Sequence, residues 1–287
     1  MLIKNCSFDE FKNVLNHVEE KGRLQQSFQI VDIKNIEIQL AKKNCLIFFN
    51  EESVVLLIPV FDYYDTYVFF TSLKRLNQLF LEIKATVTDV GISKLRLSLC
   101  GKEKQEETDY FHSIKDLGFI ISKKIARYNL DRSKNKKVSY LLSLVPEQYR
   151  NAEYAKLEDA EQILDLMLSE FDPIGDAVPE LNDIREQIRK KSVVCIKNGA
   201  EVIAFHYFQI VNNIYFGLFD YTKKNYRNHF LLFAISAFLK EHLPKNIKRG
   251  YGWRDVNNKR TSKYAKENGE CGDGIFVWNL CLSCEAK

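Results

Sequence analysis

The chain has 287 residues, room for about two domains of ~150 residues that each bury a core. With 46% hydrophobic, 13% aromatic and 28% charged residues, 12 glycines and 5 prolines, it is neither disordered nor collagen-like, and its longest apolar run, 54–61, contains Pro59 and is too short to cross a bilayer as a helix. A net charge of +4 is too mild for a DNA partner, no secretory signal opens the sequence, and the expected compartment is cytoplasmic.

Taken in order, the chain predicts helices over 8–21 and 33–42, then strands over 45–50, 54–61 and 67–71 separated by polar turns at 50–53 and 62–65. Leu76, Leu79, Phe80, Ile83, Val87 and Val90, at steps of three and four, predict a helix over 73–90. A strand over 94–100, a helix over 107–117 stopped by Gly118, and a strand region over 119–130 follow. The polar block 131–137 then marks a connector, so the division expected is 1–135 and 136–287.

Beyond it the same order returns. A helix over 157–171 opens on Glu158 and Asp159, which suit a helix amino terminus, and a second helix covers 181–191. Strands over 193–197, 202–211 and 214–221 are joined at Lys197-Asn198-Gly199 and Asn212-Asn213. A helix over 230–243, a strand over 249–254, a helix over 259–268 and a strand over 275–280 complete it. Gly118 and Leu130 lie close to 150 residues before Gly269 and Leu280, and each half closes with Asn-Leu. Such a match reads as a tandem duplication of one α/β domain, α+β in detail, with a mixed central sheet flanked by helices.

Seven scattered cysteines, an odd number, read as reduced thiols rather than a disulfide framework. Cys281-Leu282-Ser283-Cys284 has no second ligand pair, and the five histidines show no paired spacing, so no metal site is expected.

Two helices, a three-stranded meander, then helix, strand, helix and strand is the order of the Gcn5-related N-acetyltransferase (GNAT) fold, which the second half resembles in detail. Its opening 156–163, its hairpin over 193–208 and the stretch from Asn257 through Tyr264 to Gly269 are similar to the family's motifs. The first half resembles it by order of elements. In that fold a splayed strand exposes backbone amides while the next helix aims its amino terminus at a pyrophosphate. The resemblance therefore implies an acyl-CoA donor, acetyl-CoA by preference, held by Leu218, Phe219, Tyr221, Lys224, Arg227, Asn228, His229, Phe230 and Asn257. Lys223 adds a third cation to the loop over 222–229. The sequence departs from the family there, because aligning Arg227 with the start of the phosphate motif puts Phe230 and Leu232 at its glycines.

For chemistry, Tyr264 is the candidate acid and Asp220 the candidate base. Counting from Asn257 puts Tyr264 at the family's tyrosine; counting back from Gly269 puts Ala265 there, about 100° around the helix. A strand-end Asp is also a common turn or capping residue, and His206 between Phe205 and Tyr207 suits a half-buried packing histidine as well as a base. Glu170, Asp172, His206 and Trp253 are the candidate acceptor-binding residues. The first half, where 67–70 runs through Thr71 and Ser72 directly into a helix, has no room for a phosphate loop and is expected to be structural or acceptor-shaping. The function implied is transfer of an acyl group to a primary amine of a small molecule. A transferase using acyl-carrier protein or aminoacyl-tRNA, and an inactive binding module, stand as alternatives.

Overall fold

Ser7 starts the first long helix: its hydroxyl accepts from the Glu10 amide, and the Glu10 carboxylate accepts from the Ser7 amide, satisfying two otherwise orphan donors. The computed structural model describes residues 1–26, 33–89, 91–131, 138–247, 249–259 and 271–284. In the first half these form β1 (Leu2–Lys4), α1 (Phe8–Glu19), β2 (Gln25–Gln26), α2 (Ile33–Lys42), β3 (Leu46–Asn50), β4 (Ser53–Val60), β5 (Tyr63–Phe70), α3 (Leu73–Asp89), β6 (Lys94–Lys102), α4 (Asp109–Asp116) and β7 (Ile120–Asp131). The second half forms α5 (Val138–Ser143), β8 (Glu153–Tyr154), α6 (Ala160–Glu170), α7 (Pro173–Asp176), α8 (Leu181–Arg189), β9 (Val193–Asn198), β10 (Glu201–Val211), β11 (Ile214–Thr222), α9 (Leu231–His242), β12 (Arg249–Asp255) and β13 (Cys271–Ser283).

The predicted order holds, with local corrections. The third strand begins at Tyr63 rather than 67, because Phe61 and Asp62 alone make the turn, Phe61 taking the left-handed conformation at φ 47°. The helix expected from 157 starts as a 3₁₀ turn over Leu157–Asp159 and becomes α at Ala160. β1, β2, β8 and α5 are too short to leave a periodic signal in the sequence. The helix expected over 259–268 lies, apart from Lys259, outside the described residues.

The chain forms two compact units: Met1–Lys124 with Ile174–Asp176 and Ile275–Lys287, and Ile125–Pro173 with Ala177–Gly274. In the first, β3, β4 and β5 form an antiparallel meander, β6 joins β5 in parallel, and residues Ile275–Ser283 of β13 pair antiparallel with β6. In the second, β9, β10 and β11 form the meander, β12 joins β11 in parallel, and Ile125–Asp131 of β7 pairs antiparallel with β12. Each sheet is thus completed by the strand that ends the other half of the sequence.

Helices cover both faces of each sheet, which is why Val54–Ile58 is buried without alternation. In the first unit α3 and α4 pack Leu76, Phe80, Phe111 and Ile114 on one face, and α1 and α2 pack Phe11, Val18 and Ile36 on the other. In the second, α6 and α8 contribute Ile163, Met167 and Ile184 to one face, and α9 contributes Leu231, Ala234 and Ile235 to the other. Burial pushes the thiols of Cys6 and Cys45 up to about 11 and that of Cys195 to about 12, so all three stay protonated near neutral pH. Among the described residues no helix is long and apolar enough to cross a membrane.

Candidate active site

The second unit contains the splayed strands that the sequence suggests, and a single extra residue accompanies the splay. Along the β10–β11 hairpin the pairing runs regularly from Val211↔Ile214 to Phe208↔Gly217, then skips Leu218 so that Tyr207 faces Phe219 and His206 faces Asp220. This is a β-bulge, which bends a strand and increases its twist. On its other side β11 pairs with β12 only from Ile214↔Arg249 to Gly217↔Gly252. Among the described residues no strand pairs with that side of β11 beyond Gly217, so Leu218–Thr222 forms an edge without a strand partner across a gap from Trp253–Asp255.

Past the strand, the expected loop is a 3₁₀ turn over Lys224–His229 that leads through Phe230 into α9. Phe230 adopts φ 55°, ψ 31°, the left-handed conformation natural to glycine, and no side chain caps the helix. The loop therefore keeps a glycine-type backbone with a phenylalanine in it, the ring 49% exposed and stacked on Phe233. Comparing Phe230→Ala with Phe230→Gly isolates the backbone term, since both remove the ring. Urea unfolding is expected to find the glycine variant more stable by about 1 kcal/mol; equal stabilities would show that the left-handed conformation carries no strain.

Two of the three loop cations are already paired. Lys223 Nζ binds Glu201 Oε1, and Arg227 donates from Nη2 to Glu170 Oε2 at 2.7 Å and from Nε to the Thr222 carbonyl at 3.2 Å. Lys224 and Asn228 are exposed, while His229 stacks on Tyr149. Glu170, one of the residues expected at an acceptor, is thus ion-paired with the loop. Asp172 is exposed just after α6, and Asn257 is exposed beyond β12 in a turn closed by its amide donating to Asp255 Oδ1 at 2.8 Å. Tyr264 lies outside the described residues.

Asp220 and His206, two residues the sequence singled out separately, come together. The His206 Nδ1–H donates to Asp220 Oδ1 at 2.6 Å, and Nε2 meets the Tyr215 hydroxyl. The imidazole is buried, stacked on Phe208 and Tyr215, whereas the Asp220 side chain is 60% exposed. Gly217 leaves the room the ring needs: a Cβ there would lie 3.3 Å from His206 Cε1. Surrounding protein works to raise the Asp220 carboxyl, but pairing with His206 and the more distant Arg254 outweigh it, and the group is held below its ordinary 3.8. A carboxyl held low when folded adds stability above its ordinary value and loses it as pH falls through the folded one. The stability difference between wild type and Asp220→Asn, followed by urea unfolding, is therefore expected to shrink as pH falls below 3.8. A difference that persists unchanged well below that pH would show that the carboxyl is not held low.

The opposite face of the same sheet is aromatic. Phe216 and Tyr251 pack ring to ring with centroids 5.7 Å apart, and Trp253 follows Tyr251 on that face. Arg127, cross-strand from Trp253, lays its guanidinium 4.5 Å from the Tyr251 ring centroid and 5.9 Å from that of Trp253. Tyr215, Gly217, Arg127 and Arg254 were not singled out from the sequence; the two-residue turn at Asn212-Asn213 does register Tyr215 with Ile210, two partners along the strand from Phe208.

The first unit builds the same parallel pair and then closes it. β5 pairs with β6 from Tyr64↔Leu95 to Thr66↔Leu97, but its continuation is taken by β2, with Gln26↔Phe69 and Gln25↔Phe70. Its meander has no bulge, and only Thr71 and Ser72 separate β5 from α3. Among the described residues no group of three or more His, Cys, Asp and Glu side chains could hold a metal ion.

This strand order, with a bulged, splayed parallel pair beside a helix amino terminus in the second unit, is that of the GNAT fold, and the order of elements occurs in tandem. The chain is similar to a tandem GNAT protein from the clavulanic acid biosynthesis pathway, with TM-score 0.65 and 8% identity over 100% of this chain and 99% of that one. It is similar also to Gcn5-related N-acetyltransferases from Anabaena variabilis (TM-score 0.64, 9% identity, 99% and 73% covered) and Kribbella flavida (TM-score 0.59, 11% identity, 99% and 72% covered). No family model and no curated protein matches the sequence.

Proposed function

We infer that the second unit is an N-acyltransferase that moves an acyl group, acetyl in the simplest case, from acyl-CoA to a primary amine of a small molecule. The observation that carries this reading is the edge Leu218–Thr222, which no described strand pairs with, opened by the bulge and followed, through the turn over Lys224–His229, by the uncapped amino terminus of α9. Such an edge offers hydrogen bonds to an extended amide-bearing arm, and the helix terminus offers amides to a phosphate. The similar solved structures include proteins described as N-acetyltransferases, which supports the same class of reaction.

In this reading the acceptor nitrogen attacks the thioester carbon from the gap between β11 and β12. The carbon–nitrogen bond forms, the carbon–sulfur bond breaks, and CoA leaves as thiolate. Asp220, kept ionised by its pairing with His206, faces the positive charge that develops on nitrogen and takes its proton as the amide forms. His206 orients the carboxylate, and Tyr215 and the space above Gly217 fix the imidazole. Tyr264 remains the acid assigned to the departing thiolate.

Calorimetric titration with acetyl-CoA tests the donor. One molecule per chain is expected, because Gln25 and Gln26 occupy the corresponding edge of the first unit. No heat from acetyl-CoA or CoA would remove the reading in favour of a carrier-borne donor or an inactive module; two molecules per chain would mean that the β2 pairing does not close the first cleft.

A further inference from the structure

We propose that the acceptor of the second unit is an amine that also carries a carboxylate and a planar apolar body, with the carboxylate read by Arg127 and the body laid against Tyr251 and Trp253. This rests on the acyltransferase reading and names its substrate class. Trp253 is the first residue of β12 past the last parallel pair, Gly217↔Gly252, so the aromatic face begins where the strands part. Arg127 stands beside it, cross-strand, with 23% of its side chain exposed.

The guanidinium has more to give than it spends. It carries five N–H donors, and its Nε donates to Asp273 Oδ2 at 2.7 Å. Among the described residues its Nη atoms and the Trp253 indole N–H make no hydrogen bond. Donors held at the edge of aromatic rings, with the guanidinium plane fixed by Tyr251 and Trp253, suit two acceptor oxygens in one plane, the geometry of a carboxylate. The rings supply the apolar floor on which the rest of such a molecule packs. Asp220 belongs to the other bank of the gap, on the opposite face, so an acceptor anchored at Arg127 presents its nitrogen toward the gap rather than along the sheet.

Acceptors matched in shape test this in the full chain. Release of CoA thiol from acetyl-CoA is compared for phenylalanine, phenylalaninamide and 2-phenylethylamine. The acid is expected to be preferred in kcat/KM on the order of 100-fold, and Arg127→Met to reduce that preference to a few-fold while Arg127→Lys keeps part of it. A second measurement needs no donor. N-acetylphenylalanine, the product of that reaction, is titrated against intrinsic fluorescence; Trp278 is fully buried in the first unit, so the change reports Trp253. Quenching by the acid and not by N-acetylphenylalaninamide, lost in Arg127→Met, supports the proposal even if acetyl-CoA proves not to be the donor. Equal use of acid and amide with equal quenching, or a preference that survives Arg127→Met, would overturn it.

Discussion

Under the acyltransferase reading, Asp220→Asn is expected to lower kcat by about 10²–10³-fold while acetyl-CoA binds as tightly as to wild type. The substitution keeps the shape and a hydrogen-bonding oxygen but removes the charge that faces the nitrogen, and Asn takes no proton. His206→Gln costs less, about 10-fold, because the ring touches the carboxylate and not the reacting atoms: its role is to hold Asp220 in place. Steady-state rates at saturating acetyl-CoA, with calorimetry for donor affinity, read both effects. If Asp220→Asn stays within a few-fold of wild type, the pair is only a structural hydrogen bond across the hairpin.

Trp278→Ala destabilises the protein by about 3–5 kcal/mol, and the loss falls on the first unit. Trp278 is fully buried, packs edge-on against Phe111 with ring centroids 5.7 Å apart, and donates from Nε1 to Glu106 at 2.7 Å. Its truncation leaves a large void at the centre of a core built mostly from residues before 125, while Glu106 keeps its ion pair with Lys124 at 2.7 Å. Urea unfolding gives the magnitude, and limited proteolysis gives the place: new cuts are expected first within 1–124. First cuts within 177–259 would mean that β13 supports the second unit instead.

Much of this architecture was legible in the chain because it rests on local pattern. The run of apolar residues at helical spacing over 73–90, the strand runs and the punctuating Asn-Gly and Asn-Asn turns place most of the larger elements within a few residues, and their order carries the resemblance. Phe230, which the resemblance aligns with a glycine of the family's motif, does have the left-handed backbone that glycine adopts most readily. Less legible were the charges. Lys223 and Arg227 looked like three-cation partners of a phosphate together with Lys224, but Glu201 and Glu170, 22 and 57 residues away, take them. Sequence spacing says nothing about which carboxylate a long flexible side chain finds.

The sequence by itself determined that one pattern of helices and strands occurs twice, and that a long loop between the third strand of the meander and the next helix occurs in the second copy and not in the first, because periodicity, turn residues and loop length act over a few neighbours. Two things waited for the tertiary structure. Which parallel pair takes each closing strand is one, since two halves with the same order of elements offer two similar edges. The partnership of His206 and Asp220 is the other. Counted from the Asn212-Asn213 turn, His206 faces Phe219, and Asp220 falls on the opposite face; the extra residue at Leu218 shifts the register by one and brings the carboxylate round to the imidazole. At that same point β11 leaves β12, so the departure that opens the cleft also assembles the pair that would work in it.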